Sequence, residues 1–390
     1  MRIFCQMAVI LALVAFGGCW TCRSPDCHRS ARVIWTRPIC AKEGRYAGWP
    51  TVTRLRNGEL VAVFSGDRDS HVCPWGKVQC VRSTDQGETW SEPVTIVNDP
   101  LDDRDAGLLE LKCGRQVLFY FNSVAFRQAK YRTYWERHPD WLRHYEKIGG
   151  DEVVKPLLGA WSRYSDDGGR TWSEPCSTVV STPHGAVVLK DGRLLLLGRK
   201  GDPAVGGCTF HAVESRDGGV SWKLIADIDI ASVEPHWSLG EPSLFEGLDG
   251  TLHGYFRYEP GDGCLLQTTS TDGGRTWSQL TRSDIDGFPP HFLRLKDGSV
   301  VCSYARRKNK RTGVFARVSH DDGKIWGEEI ELVRDENPDL GYASSVELDD
   351  GALLTVYYMH FNHAQRASVC ATKWFLRTET NMQVKTQGGR

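Results

Sequence analysis

Short apolar or alternating runs recur along this chain, and they are joined in pairs by glycine-centred turns. The turns are Asn57-Gly58-Glu59-Leu60, Asp191-Gly192-Arg193-Leu194, Asp249-Gly250-Thr251-Leu252, Asp297-Gly298-Ser299-Val300 and Asp350-Gly351-Ala352-Leu353. Asn-Gly or Asp-Gly between two strand-like runs predicts a β-hairpin, with the residues that a two-residue type I′ turn requires. A degenerate sixth turn, Leu111-Lys112-Cys113-Gly114-Arg115, precedes the apolar run Val117-Leu118-Phe119-Tyr120-Phe121. The six glycines stand 56, 78, 58, 48 and 53 residues apart. Each interval is about the length of a four-stranded blade.

A second repeat interleaves with the hairpins. The octapeptide Ser-x-Asp-x-Gly-x-Thr/Ser-Trp begins at Ser83, Ser165, Ser215 and Ser270, and a fifth copy from Ser319 to Trp326 has Ile325 in place of the Thr. Their starts are 82, 50, 55 and 49 residues apart. Asp and Ser/Thr oxygens bond backbone within a tight loop, Gly permits the reversal, and Trp offers a large ring to bury between blades. These are structural residues. Together the two repeats predict an all-β fold, a six-bladed β-propeller. The run Ser368 to Leu376 reads as a closing strand that pairs with one from the N-terminal part and so removes an open sheet edge. The long second interval holds an insertion, Phe126 to Val153, read as short helical turns projecting from blade two. Its aromatics (Tyr131, Tyr134, Trp135, Trp141, Tyr145) are candidates to wall a binding site.

Composition narrows the class. Forty-eight Lys+Arg against 49 Asp+Glu give a net charge of −1, which argues against a nucleic-acid partner. Met1-Arg2 followed by the apolar stretch Ile3 to Gly18 reads as an export signal, too short to span a membrane. Gly17-Gly18-Cys19 is similar to a bacterial lipoprotein cleavage site, so Cys19 is a candidate lipid anchor and the only expected link to a membrane. The expected organisation is therefore a signal over 1–18, an N-terminal segment over 19–44, the propeller over 45–376 and a tail over 377–390. The expected location is the periplasm, the outer membrane or the medium. Eleven cysteines remain after Cys5 and Cys19, and no CxxC or Cys/His zinc spacing appears among them. Cys22 and Cys27 are close enough to close a small loop, and most others stand in strand-like runs as small buried hydrophobes.

The octapeptides resemble the Asp-boxes of the sialidase (neuraminidase) superfamily over residues 45–376. That resemblance implies an exo-acting glycosidase for a 2-keto sugar acid, a glycan as partner, a monomer, and neither metal nor organic cofactor. In that chemistry arginine forks grip the substrate carboxylate. A tyrosine attacks, because a carboxylate nucleophile would be repelled. A Glu draws off the tyrosine proton, and an Asp serves the leaving oxygen as acid and then base.

Matched residue by residue, Glu241 stands nine positions before Gly250 at a strand start, and Arg257 follows at the far end of the next strand. Tyr342 stands nine before Gly351, which implies the same rim of the propeller. These resemble the glutamate base, a carboxylate-binding arginine and the nucleophile. The third arginine is Arg306 or Arg311. The family's first-blade arginine is missing, with Gly48 in its place before Trp49-Pro50, and Arg45 or Arg68 is the candidate replacement. Asp69 fits the acid/base position, with Asp67 as competitor. His71 and His184 are candidate contacts to sugar hydroxyls, and Arg104 and Asp105 open blade two at the rim where ligands are expected. The resemblance implies terminal sialic acid as substrate, whereas a rebuilt carboxylate pocket points toward a related ulosonic or uronic acid. A glycan-binding propeller without catalysis is the alternative.

Overall fold

The computed structural model describes residues 31–201, 208–261, 263–308 and 311–376, apart from the side chains at 129, 134, 135 and 237. The export signal, Cys19, Cys22, Cys27 and the tail lie outside the described residues, as do the side chains of Tyr134 and Trp135. Six four-stranded antiparallel sheets form the blades of a propeller. Their innermost strands are Tyr46–Arg54, Asp102–Glu110, Val187–Val188, Leu239–Glu246, Phe288–Arg294 and Gly341–Glu347. Blade six is completed from the other end of the chain. Ala31–Cys40 runs antiparallel to Ser368–Leu376 as its outermost strand, from Ala31 opposite Leu376 to Cys40 opposite Val369. The propeller therefore starts at Ala31, inside the stretch read as an N-terminal segment. Pairing of these two segments, one from each side of the propeller in sequence, closes the ring and covers the outer edge of Ser368–Leu376.

The blades stack through apolar faces. Leu195, Leu197 and Phe210 of blade three meet Leu252 and Phe256 of blade four, and Leu60 and Phe64 of blade one meet Val356 and Val369 of blade six. Each such buried side chain contributes about 1.5–3 kcal/mol relative to exposure. The Asp-boxes brace the outer turns. The Ser83 hydroxyl donates to Asp85 Oδ1 (2.8 Å) and accepts from the Gly87 amide (2.9 Å), and Asp85 Oδ1 accepts from the Thr89 amide (2.9 Å). Hydrogen bonds to the ionised Asp85, from the Thr89 hydroxyl and amide foremost, outweigh its small burial and hold its pKa down at about 2. The box tryptophans tie blade to blade: the Trp222 indole donates to Ser162 of blade two (2.8 Å).

The hairpins differ in turn type from the expectation. A type I′ turn needs φ > 0 at both central residues. Among the hairpin residues only the glycine has it, at φ 90 for Gly58 and 88 for Gly192, while Asn57 and Asp191 do not. The Gly58 amide bonds Leu55 O and the Leu55 amide bonds Glu59 O, a type I turn closed by a left-handed glycine. Asn57 Oδ1 accepts from the Glu59 amide (3.0 Å), which is why Asn or Asp precedes the glycine.

The insertion in blade two forms helical segments Arg132–Arg137, Pro139–Lys147 and Gly150–Leu157. Trp141 and Tyr145 do not line a sugar site: they are 0 % and 7 % exposed, packed with Val72, Cys73, Leu101, Phe126 and Val154 in a small core of their own. Among the described residues no helix is long and apolar enough to cross a membrane.

Candidate active site

The nine-residue offset from the hairpin glycine marks a structural device. Trp49, Asp105, Glu241 and Tyr342 stand nine residues before Gly58, Gly114, Gly250 and Gly351. All four have positive φ (55, 51, 44 and 54), and pairing slips at each one, between Gly48 and Thr51, Arg104 and Gly107, Gly240 and Ser243, and Gly341 and Ser344. A bulge of this kind re-aims one side chain off the strand's alternation, and non-glycine residues hold such a backbone only where their surroundings fix it. His184 of blade three shares the conformation (φ 66), eight residues before Gly192. Contacts across the ring show that these residues converge. Trp49 and His184 each lie 6.4 Å from the Tyr342 ring between centroids, and the Tyr342 hydroxyl donates to Glu241 Oε1.

Around that Tyr–Glu pair stand two arginines. Arg257 Nη1 donates to Glu241 Oε2 (2.6 Å) and Nη2 to Glu259 (2.7 Å). Arg307 lies with its guanidinium carbon 5.5 Å from the Tyr342 ring centroid, held by Leu340 O (2.7 Å) and the Tyr358 hydroxyl (3.2 Å). Burial alone would raise the Glu241 pKa. The Arg257 charge, hydrogen bonds from Arg257 and Tyr342, and the Arg307 charge bring it below the usual range instead. Burial pushes the Tyr342 hydroxyl well above the usual tyrosine value, with the Glu241 and Asp105 charges adding and the two arginines opposing. At neutral pH the pair is therefore a neutral phenol bonded to a carboxylate base, between fixed positive charges.

Glu241, Tyr342 and Arg257 are brought together as the sequence predicts, while the third arginine is corrected. Arg306 and Arg311 both turn to Glu329, at 2.8 and 2.6 Å, and it is Arg307 that faces the site. Both blade-one replacements are engaged with carboxylates of the protein. Arg68 is 0 % exposed beneath Trp49, with Nη2 2.8 Å from Asp102 Oδ2. Arg45 is spent on Asp69 (2.6 Å) and Asp67 (3.5 Å). Asp69 is engaged on both oxygens, the second accepting from the Trp141 indole (3.3 Å), and Asp67 is held by Lys42 and Lys77 at 3.2 and 2.6 Å. Arg104 does reach the site: its guanidinium lies 4.1 Å over the Trp49 ring and 3.8 Å from Asp102.

His71 joins a network at the rim, 2.8 Å from Asp339 and 3.1 Å from the Tyr46 hydroxyl, with Tyr358 also donating to Asp339 (3.1 Å). His184 is bonded to Thr51 (2.9 Å) and lies 5.1 Å from the His291 ring. Burial pushes His184 well below the usual histidine value and His291 to about 4, so both rings are neutral near pH 7.

The missing first-blade arginine has a physical cause. A Cβ on Gly48 would lie 3.0 Å from the Tyr46 ring and 3.6 Å from Tyr358, so two tyrosines fill the room an arginine would need. Residues that the sequence reading missed include Trp49, His291, Tyr46, Tyr358, Asp339, Arg307 and Arg199. The nine-residue offset would have found Trp49. Arg199 stands seven residues after Gly192, as Arg257 does after Gly250, and its Nη1 lies 3.7 Å from where a Cβ on Gly240 would be. Several polar atoms here, Arg104 Nε, Asp105 Oδ1, His184 Nε2, Arg199 Nε and Arg257 Nε, are buried with no hydrogen-bond partner among the described residues. Buried unpaired polar atoms are scarce in folded proteins, and their concentration at one mouth marks a place built for a polar ligand.

Asp-box blades around a Tyr–Glu–Arg centre define a propeller of the sialidase superfamily. A family model described as "BNR repeat-like domain" matches residues 158–355 and one described as "BNR/Asp-box repeat" matches 81–92, and the chain belongs to this BNR family. It is similar to a sialidase of Paraclostridium sordellii, 20 % identical with 97 % of each chain covered. Among solved structures it resembles a protein of unknown function from Dyadobacter fermentans, at TM-score 0.73 and 24 % identity, covering 89 % of this chain and 100 % of that one. It also resembles a variant of the NanB sialidase from Streptococcus pneumoniae, at TM-score 0.62 and 14 % identity, covering 90 % of this chain and 71 % of that one. At these identities the structural likenesses establish the fold.

Proposed function

We propose that this protein is an exported, exo-acting glycoside hydrolase of sialidase type, releasing terminal sialic acid or a related 2-keto sugar acid with Tyr342 as nucleophile. The observation that carries the reading is the Tyr342 hydroxyl bonded to Glu241 between Arg257 and Arg307. The substrate carboxylate lies against the arginines, whose fixed positive charge also stabilises negative charge developing on the phenol oxygen. Burial disfavours a free phenolate, so the proton passes to Glu241 Oε1 as Tyr342 Oη bonds to the anomeric carbon. The bond to the leaving oxygen breaks in the same step, its electron pair going to that oxygen, which takes a proton from a carboxylic acid of the site. Water then displaces the tyrosine, giving one proton back to that carboxylate, while the tyrosine recovers its own proton from Glu241.

Hydrolysis of a fluorogenic α-sialoside tests this. Turnover in the parent protein is expected to fall about 10²–10⁴-fold in Glu241→Gln, as for loss of a general base. Tyr342→Phe is expected to abolish it. No turnover in the parent, or full turnover in Tyr342→Phe, overturns the reading. One observation favours a second reading, a glycan-binding propeller: the blade-one arginine is absent and its room filled by Tyr46 and Tyr358. Saturable binding of sialylated glycans with no cleavage would establish that alternative.

A further inference from the structure

We propose that Asp105, rather than Asp69, is the proton donor to the leaving-group oxygen; the inference rests on the glycosidase reading above. Proton donation needs a carboxyl oxygen that faces the reacting centre and is not already committed. Asp69 fails on the second count, since Arg45 holds Oδ1 at 2.6 Å and the Trp141 indole holds Oδ2 at 3.3 Å. Asp67 fails in the same way, tied to Lys42 and Lys77. Asp105 shares the rim of the Tyr342–Glu241 pair, is electrostatically coupled to both, and has an uncommitted oxygen. It occupies the blade-two position equivalent to Glu241 and Tyr342, nine residues before its hairpin glycine and on the same left-handed bulge. It is 7 % exposed, and its Oδ1 is buried with no hydrogen-bond partner among the described residues.

The backbone beside Asp105 is fixed from the neighbouring blade. A Cβ on Gly107 would lie 2.4 Å from the His184 carbonyl carbon, so the strand carrying Asp105 packs directly on the loop carrying His184. The charged groups around the carboxyl are Arg104, Arg68 and Asp102 from its own side of the ring and Glu241 from across it, with Tyr342 in electrostatic reach. Burial raises its pKa to about 7; Arg104 opposes that rise, Glu241 adds to it, Arg68 opposes and Asp102 adds. Glu241 is pulled the other way by Arg257. Two carboxyl groups in one site with pKa values driven apart is the arrangement that separates an acid from a base.

The step balances. As Tyr342 Oη bonds to the anomeric carbon and its proton passes to Glu241, the electron pair of the breaking C–O bond goes to the leaving oxygen. That oxygen takes the Asp105 proton. In the second half the Asp105 carboxylate takes a proton from the attacking water, whose oxygen bonds to the anomeric carbon while Tyr342 leaves and is reprotonated by Glu241.

The test compares leaving groups. A dinitrophenyl α-sialoside leaves without a proton, whereas an α-sialosyl lactose needs one. Asp105→Asn is expected to lose about 10²–10⁴-fold in kcat/KM on the lactoside while staying within about 10-fold on the dinitrophenyl glycoside. Asp69→Asn is expected to treat the two substrates alike. Asp105→Ala, checked for an intact site by binding of the 2,3-unsaturated sugar acid, provides the same comparison if the Asn variant folds poorly. Equal losses on both substrates in the Asp105 variants, or a leaving-group-selective loss in Asp69→Asn, overturns the assignment while turnover still depends on Tyr342. A parent protein that cleaves neither substrate overturns the glycosidase reading and this inference with it.

Discussion

Replacing Arg307 by Ala separates the arginine that faces the site from its two neighbours in sequence. Arg307 approaches the Tyr342 ring at 5.5 Å and bonds Leu340 O, two residues before Tyr342, at 2.7 Å. Two losses are expected. A charge-assisted contact to the substrate carboxylate is worth about 1.5–3 kcal/mol. The cation–π contact that helps position Tyr342 is worth about 0.5–2 kcal/mol. Together these amount to about 2–5 kcal/mol of transition-state stabilisation, or roughly 30- to 5000-fold in kcat/KM. Arg311, half-exposed and ion-paired with Glu329 away from Tyr342, serves as the control: a surface ion pair is worth about 0–1 kcal/mol, so Arg311→Ala should stay within about fivefold of the parent. The assay is kcat/KM on a fluorogenic α-sialoside, with the melting temperature measured beside it to exclude unfolding. A loss below threefold in Arg307→Ala, or a larger loss in Arg311→Ala, would refute the assignment of the third arginine.

Gly48→Arg should not restore a family-like pocket. Its side chain starts 3.0 Å from the Tyr46 ring, and the overpacking is expected to cost about 1–3 kcal/mol, read as a lower melting temperature without a gain in activity. The pH–rate profile follows from the two carboxyls. Activity should persist below the ordinary Glu range because Glu241 stays ionised there, and should fall as pH rises through about 7, where Asp105 gives up its proton. A profile flat from pH 6 to 9 would contradict this. The same raised pKa has a stability consequence. Folded Asp105 holds a proton that the unfolded chain releases near pH 4, so stability is lost as pH climbs from about 4 to about 7. Asp105→Asn should therefore raise the melting temperature at pH 8 and leave it nearly unchanged at pH 4; equal shifts at both would count against a buried, proton-holding Asp105. Deleting residues 31–40 removes the outer strand of blade six and exposes the edge of Ser368–Leu376, so aggregation on size-exclusion chromatography is expected, and an unchanged monomer with unchanged melting temperature would contradict the closure.

What could be read from the sequence is what is encoded locally. The Asp-box closes its hydrogen bonds within eight residues, from Ser83 to Trp90, so each copy announces its turn without reference to the rest of the chain. The hairpin glycines are equally local, although the choice between type I′ and type I with a left-handed glycine was not visible in the Asn-Gly and Asp-Gly pairs. Glu241 and Tyr342 were found because a fixed offset from a hairpin glycine is a fixed position on a blade. Trp49 shares that offset and could have been found in the same way. Arg307 could not, because in Arg306-Arg307-Lys308 the choice of which residue faces the channel is made where the strand Val300–Arg306 ends, and the sequence carries no mark of that. Asp69 looked suited to acid catalysis until Arg45 and Trp141, one of them from the insertion, took both of its oxygens. Such partners are set by the assembled fold and leave no spacing to read.

The central claim is that Tyr342 becomes covalently bonded to the sugar, and trapping that bond tests it most directly. A 3-fluoro sialosyl fluoride slows breakdown of the glycosyl-enzyme more than its formation, so the intermediate accumulates and survives digestion. Mass spectrometry should find the fluorosugar on the peptide containing Tyr342, with no adduct in Tyr342→Phe. Adduct on any other residue, or no adduct in a protein that hydrolyses α-sialosides, would contradict the account.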